Sequence, residues 1–123
     1  MNERGAYGCV IQPSIPCKKF YHESVSKIFH KDSYFEEEKI ISDIIAGVDP
    51  KNKFTLKKLD ECVVTDISKK DRKYCKYLKT DFPKKQIIYE YGGIDLSKFI
   101  ETNYDVKSIL PAIYNLVNGL VTL

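Results

Sequence analysis

The feature of this sequence that most constrains its fold is a strand signal that ends in two glycines. Residues 86–91 have the sequence QIIYEY, a run of β-branched and aromatic residues that is typical of a strand. Gly92 and Gly93 follow directly and predict that the strand ends there. A single strand is not stable alone in water, so the rest of the chain must supply its neighbours and a covering element.

Other segments of the chain also have the composition of strands. In the first of these segments, residues 5–12, the glycines at the start predict a tight turn that leads into the strand. The predicted strand segments are residues 5–12, 24–29, 54–59 and 61–65.

One central segment has the period of a helix. Ser33 and Glu36 have the spacing of a capping box, which predicts that the helix begins there. Gly47 is the predicted end of the helix. The apolar residues at helical spacing are Ile41, Ile44, Ile45 and Val48.

The carboxyl-terminal part of the chain predicts a second amphipathic helix. Pro111 lies near its expected start, where a missing amide hydrogen is tolerated best. Residues 95–101 can form a short helix, and residues 66–85, which are rich in Lys and Arg, predict a solvated loop or a short charged helix. The apolar stripe of the last helix is Ile109, Ile113, Leu116, Val117, Leu120 and Leu123.

This order of elements predicts an α+β fold: a small antiparallel β-sheet with one packed helix, followed by a carboxyl-terminal amphipathic helix. The chain has 123 residues, enough for one domain of ordinary size. Within it we predict a sheet-plus-helix part over residues 1–93 and the start of a helical part over residues 94–123.

Charge and cysteine content narrow the function classes. Lys and Arg total 20 against 17 Asp and Glu, so the net charge of +3 disfavours a dedicated nucleic-acid binder. There is no apolar run long enough for a membrane span and no visible secretory signal. The spacing of Cys9, Cys17, Cys62 and Cys75 does not fit a zinc site. We therefore predict four reduced thiols and an intracellular, cytoplasmic protein.

Several residues could bind a phosphate-bearing ligand. Glycines at positions 5 and 8, followed by Val10, would let backbone amides approach a phosphate, although an ordinary hairpin turn has the same pattern. Lys27 lies inside a predicted strand. A lysine at such a position is either an exposed charge on the strand or a buried ligand for phosphate. Glu37 lies on the apolar helix face and needs a cationic partner, and Glu38 is the alternative.

In this order, these features resemble the amino-terminal lobe of a eukaryotic-type serine/threonine protein kinase, in the style of kinases encoded by large DNA viruses. The resemblance implies that Lys27 holds the phosphates of ATP and pairs with Glu37 or Glu38. It implies that Tyr89 is the gatekeeper and that a hinge after it hydrogen-bonds adenine. The remaining implied ATP-binding residues are Gly5, Ala6, Tyr7, Gly8, Val10, Val25, Glu90, Tyr91, Gly92 and Asp95.

The same resemblance sets limits on the expected activity. The 123 residues contain no HRDxxxxN and no DFG motif, so we expect no catalytic residue and a magnesium ion only with a second lobe. We expect an incomplete lobe that is inactive alone. One alternative is a non-catalytic kinase-like module that binds a protein partner, or the missing lobe, through residues 106–123. The other is an unrelated α+β module in which the lysine and the glutamate form only a structural ion pair. We expect neither nucleic acid nor membrane as a partner.

Overall fold

A computed structural model describes residues 3–4, 8–75, 78, 82–93, 101 and 106–122 of the chain. These residues form an α+β fold built on an antiparallel sheet. The strands are β1 Glu3–Arg4, β2 Gly8–Ile11, β3 Ser24–Phe29, β4 Lys58–Val64 and β5 Lys84–Glu90. The helices are α1 Asp32–Val48, α2 Lys69–Tyr74 and α3 Val106–Thr122.

The sheet has the strand order β1-β2-β3-β5-β4. β5 therefore lies in the interior of the sheet, between β3 and β4, which explains why its sequence carried the clearest strand signal. The predicted strands over residues 54–59 and 61–65 are wrong as separate elements, because one strand, β4, covers Lys58–Val64. The short charged helix, one of two predictions for residues 66–85, is present as α2.

The register of the strands sorts side chains onto two faces. Cys9, Ile28, Gln86 and Cys62 lie opposite one another in a single row across β2, β3, β5 and β4. Their chain neighbours form the next row, which faces the other side because side chains alternate along a strand. That second row is Val10, Lys27, Ile87 and Glu61.

Each face carries its own apolar cluster. On the face that α1 covers, Phe29, Phe35 and Ile87 pack together. The opposite face holds the larger cluster, and the segment around α2 contributes residues to it. Its buried members are Cys9, Ile11, Ile28, Val64, Ile67, Cys75 and Leu78. The sheet thus separates a structural core from the face on which the helix and the candidate site lie.

The four cysteines form two disulfides, so the prediction of four reduced thiols is wrong. Cys9 pairs with Cys75, with Cα atoms 5.8 Å apart, and Cys17 pairs with Cys62 at 5.9 Å. The partners are 66 and 45 residues apart in the sequence, distances that only the folded chain closes. The predicted cytoplasmic location relied on reduced thiols and loses that support.

Helix α1 begins and ends differently from the prediction. Its N-cap is Lys31, which makes no side-chain capping hydrogen bond, so the predicted capping box at Ser33 is wrong. The helix continues past Gly47 to Val48, and Asp49 is its C-cap. Phe35 is its buried residue, whereas most of its apolar stripe is exposed: Ile41, Ile44 and Val48.

Asp49 organises the turn that follows α1. Its side chain is buried, and it accepts hydrogen bonds from the backbone amides of Lys53, Phe54 and Thr55 and from the Thr55 hydroxyl. The Thr55 hydroxyl and these amides hold the pKa of the Asp49 carboxyl below its ordinary value. The ionised carboxylate therefore fixes the path of residues 49–57 beneath α1.

We expect Asp49 to make the fold sensitive to acid. Because its pKa is lowered in the folded state, its stabilising contribution is complete above the ordinary value of 3.8 and is lost as the pH falls through the lowered pKa. Asp49→Asn should reduce stability at neutral pH and flatten the acid side of the melting-temperature profile. Asp43→Asn, an exposed change of the same charge on α1, is the control and should leave that slope unchanged. The role of Asp49 would be contradicted if the melting temperature of the unmodified chain and of both variants fell with acid at the same slope.

Helix α3 presents an exposed apolar stripe. Pro111 lies in its second turn and not near its start as predicted. Gly119 is buried where the helix meets residue Phe54, and a Cβ there would lie 3.0 Å from the Phe54 ring. Within the described part of the chain, no helix is long and apolar enough to cross a membrane. The exposed residues of the stripe and its flanks are Leu110, Ile113, Tyr114, Leu116, Val117, Leu120 and Val121.

Candidate functional site

A cleft of about 850 Å³ lies between the sheet, helix α1 and residues 49–57. Strands β2 and β3 contribute Val10, Val25 and Lys27, and β5 contributes Tyr89. The fold therefore brings together side chains that the sequence placed up to 81 positions apart, from Val10 to Tyr91. The remaining predicted residues on its wall are Glu38, Tyr91 and Gly92.

The charged centre of the cleft is an ion pair between Lys27 and Glu38. The Lys27 Nζ atom lies 2.7 Å from the Glu38 Oε1 atom, and the two side chains are 31% and 25% exposed. A partly exposed pair of this kind contributes about 0.5 kcal/mol to stability. Its main effect is therefore positional: it holds the ammonium group of Lys27 at a defined place in the cleft.

The position of Glu38 on α1 explains why it, and not Glu37, pairs with Lys27. Ser42 and Ile45, one and two turns beyond Glu38, also line the cleft. Glu37 precedes Glu38 by one residue, so it lies on a different side of the helix, and it is exposed. Of the two partners that the sequence left open for Lys27, the structure selects Glu38.

Tyr89 closes the cleft beneath the ion pair. Its hydroxyl lies 3.3 Å from the Ser42 hydroxyl, which links β5 to α1. Burial raises the pKa of the Tyr89 phenol, and the nearby Glu38 carboxylate adds to the shift, so the phenol stays neutral at physiological pH. A neutral phenol can donate a hydrogen bond in the cleft without adding a negative charge.

A second charged cluster lies at the end of the same cross-strand row. Glu61 lies 2.7 Å from the Lys58 ammonium and 3.4 Å from that of Lys39. The hydrogen bond from Lys58 and the charges of both lysines hold the pKa of Glu61 below its ordinary value. Lys58 also lines the cleft, which therefore carries cationic groups on two strands.

The backbone rim of the cleft is only partly free. The amides of Glu90 and Tyr91 donate to the carbonyls of Lys57 and Glu23, at 3.0 and 2.7 Å. These two amides are thus not free to hydrogen-bond adenine as the predicted hinge would, because neighbouring chain segments already use them. Gly92 lies against Leu56, and a Cβ there would be 2.9 Å from the leucine Cδ2.

The structure places the remaining predicted residues away from the cleft or outside its description. Gly8 is buried in β2 and does not line the cleft. Gly5, Ala6, Tyr7 and Asp95 lie outside the described residues.

Residues 49–57 form a wall that the sequence analysis did not assign to the site. Asn52, Thr55, Leu56 and Lys57 line the cleft. The Asp-Pro turn predicts a loop there but not which surface it covers. Across the described ranges, no group of three or more His, Cys, Asp or Glu side chains is placed to hold a metal ion.

Comparison of the chain with protein-family models, with curated proteins and with solved structures gives no match. We therefore infer the function from the cleft itself.

Proposed function

We propose that this chain binds ATP as the amino-terminal, nucleotide-binding lobe of a serine/threonine-kinase-like protein. The observation that carries the proposal is the Lys27–Glu38 ion pair, at 2.7 Å, inside a cleft roofed by valine side chains. An anchored ammonium group beside an apolar surface suits a ligand with a phosphate chain at one end and a planar base at the other.

The residues of the cleft divide this task by their chemistry. Lys27 supplies a point charge for phosphate oxygens, and Glu38 keeps that charge in place. Val10 and Val25 supply apolar contact for a base. The dimensions also fit, since about 850 Å³ is within the range of roughly 300–1,000 Å³ of small-molecule sites.

Nucleotide binding is the activity that we propose for these residues. The sequence contains no HRDxxxxN or DFG motif, the parts that orient the attacking hydroxyl and hold magnesium in the kinase family it resembles. Phosphoryl transfer to protein hydroxyls is thus proposed only for an assembly that supplies those groups.

We expect Mg-ATP to raise the melting temperature of the chain in a concentration-dependent way, because a ligand of the folded state stabilises it by mass action. Lys27→Ala should weaken the apparent affinity about tenfold to a hundredfold, the range for a charge-assisted hydrogen bond to phosphate. Glu38→Gln should weaken it less, because the ammonium group remains but is no longer fixed. Thermal shift over an ATP series measures all three.

Glu37→Gln is the matched control for Glu38→Gln, because it removes the same charge from the next residue of α1 on an exposed site. It should bind like the unmodified chain. Magnesium tripolyphosphate and Mg-GTP separate phosphate binding from recognition of the base. An ATP shift that Lys27→Ala leaves intact, or no shift at all, would contradict the proposal.

The exposed stripe of α3 favours a second candidate, a non-catalytic module that binds a protein partner, or a second lobe, through that helix. Leu120 and Val121 of this helix are 69% and 80% exposed. Together with the rest of the stripe they form a larger exposed apolar surface than a helix that contacts only water usually has. The ATP series distinguishes the two candidates, since a purely protein-binding module shows no nucleotide-dependent shift.

A further inference from the structure

The two disulfides differ in accessibility. Cys9 and Cys75 are 1% and 3% exposed and belong to the buried apolar cluster. Cys17 and Cys62 are each partly exposed, and Cys17 lies in the loop between β2 and β3. The second pair is therefore more accessible to a dissolved thiol in the folded protein than the first, which lies within the core.

We propose that the Cys17–Cys62 pair is a reversible modification site for a small anionic thiol of the glutathione class. This inference goes beyond the proposed nucleotide function and does not depend on it. Two features besides accessibility support it: the charges beside Cys17 and the buried amide beside both sulfur atoms.

The charges explain the choice of an anionic thiol and the point of attack. Lys18 and Lys19 follow Cys17 directly, and both are exposed. Their positive charges raise the local concentration of an anionic thiolate at the Cys17 sulfur. The Lys19 ammonium is held 5.4 Å from the centre of the Tyr21 ring, which keeps it on the loop surface.

The buried amide of Gln86 explains why Cys62 is the leaving group. Its Nε2 atom donates to the Cys62 sulfur at 3.2 Å and lies 3.7 Å from the Cys17 sulfur. A donor at 3.2 Å stabilises a departing thiolate. Gln86 is 0% exposed, and its Oε1 atom has no hydrogen-bond partner among the described residues.

The reaction balances as two thiol–disulfide exchanges. The thiolate attacks the Cys17 sulfur, the Cys17–Cys62 bond breaks, and Cys62 leaves as a thiolate that takes a proton from water. Cys17 then carries the thiol as a mixed disulfide. A second thiolate attacks the external sulfur of that mixed disulfide, releasing the small-molecule disulfide and the Cys17 thiolate. The two thiols supply the two electrons.

Other bonds hold the start of the loop, so we expect the fold to survive this change. The Ile15 amide donates to the Ser26 hydroxyl at 2.8 Å, and its carbonyl accepts from Gln86 Nε2 at 3.0 Å. The Ser14 and Ser24 hydroxyls are also hydrogen-bonded to each other at 2.5 Å. Loss of the disulfide therefore frees mainly the loop beyond Ile15.

The test exposes the oxidised chain to reduced glutathione under native conditions, followed by alkylation and peptide mass mapping. We expect a glutathione adduct on Cys17 and an alkylated Cys62 while Cys9–Cys75 stays intact. An adduct on Cys62 instead, or simultaneous opening of both disulfides, would overturn the proposal.

Two sets of variants test the two supporting features separately. Lys18→Gln with Lys19→Gln should slow the reaction with glutathione, whose thiolate also carries carboxylate charge, about threefold, the scale of exposed charge interactions. It should slow the reaction with 2-mercaptoethanol, whose thiolate carries a single charge, less. Gln86→Leu should slow both reactions. Both lysines are exposed, so equal slowing of both thiols, or no slowing, counts against the proposal even where Gln86→Leu does not fold.

Discussion

Gly8→Ala is expected to lower the free energy of unfolding by about 3 kcal/mol, the upper range for overpacking in a buried site. A Cβ on Gly8 would overlap the backbone carbonyl oxygen of Ile28 and approach the Phe29 Cα to 3.2 Å. Both contacts are with the backbone of β3, which is held in the sheet and cannot rotate away as a side chain can. Urea unfolding measured by circular dichroism gives the difference.

Gly47→Ala is the matched control for this prediction. It makes the same change within α1, where a Cβ would meet nothing within 4 Å. This substitution should stabilise the chain by about 0.5–1 kcal/mol, because alanine favours the helix. The two substitutions should therefore change stability in opposite directions. If Gly8→Ala leaves the free energy of unfolding unchanged, β2 does not lie against β3 as the structure has it.

Removal of the Cys9–Cys75 disulfide by the double substitution Cys9→Ala and Cys75→Ala is expected to cost about 4 kcal/mol. The disulfide joins residues 66 apart in sequence, and releasing that constraint raises the entropy of the unfolded chain by roughly this amount. Both sulfurs are also buried in the larger core, so their loss leaves unfilled space. A loss of this size is a large part of the 5–15 kcal/mol that typically stabilises a domain.

The double substitution Cys17→Ala and Cys62→Ala provides the comparison. It opens a disulfide of 45 residues' separation, for which chain entropy alone predicts a similar loss of about 4 kcal/mol. Its sulfurs are partly exposed, so the additional packing loss should be smaller. Denaturant unfolding of both variants without reductant measures the two losses. A Cys9–Cys75 variant as stable as the unmodified chain would contradict the disulfide.

The local patterns of the sequence predicted most of the elements. The strand signal of residues 86–91 corresponds to β5, and the isoleucine spacing after Ser33 corresponds to α1. Both signals depend on residues close together in the chain, and each element forms where its residues predict it. The element ends were less well predicted, because Lys31 and Asp49 set the ends of α1 by backbone geometry and by contacts with the following turn.

The candidate site was predicted in part. Lys27 was identified from its position within a strand, and Val25 and Tyr89 from the resemblance to a kinase lobe. The structure brings all three into one cleft. The choice between Glu37 and Glu38 was open, because each has apolar residues at helical spacing on its own side of α1. Only the orientation of the helix on the sheet selects Glu38.

What the sequence determined by itself is the set of strands and helices and the chemistry available within them. The tertiary structure decided which side chains face one another, because strand register and helix orientation depend on contacts between distant segments. The row of Cys9, Ile28, Gln86 and Cys62 illustrates this: each residue is ordinary in its own strand. Pairing of the strands places the two cysteines at opposite ends of that row, where Cys75 and Cys17 from distant loops reach them.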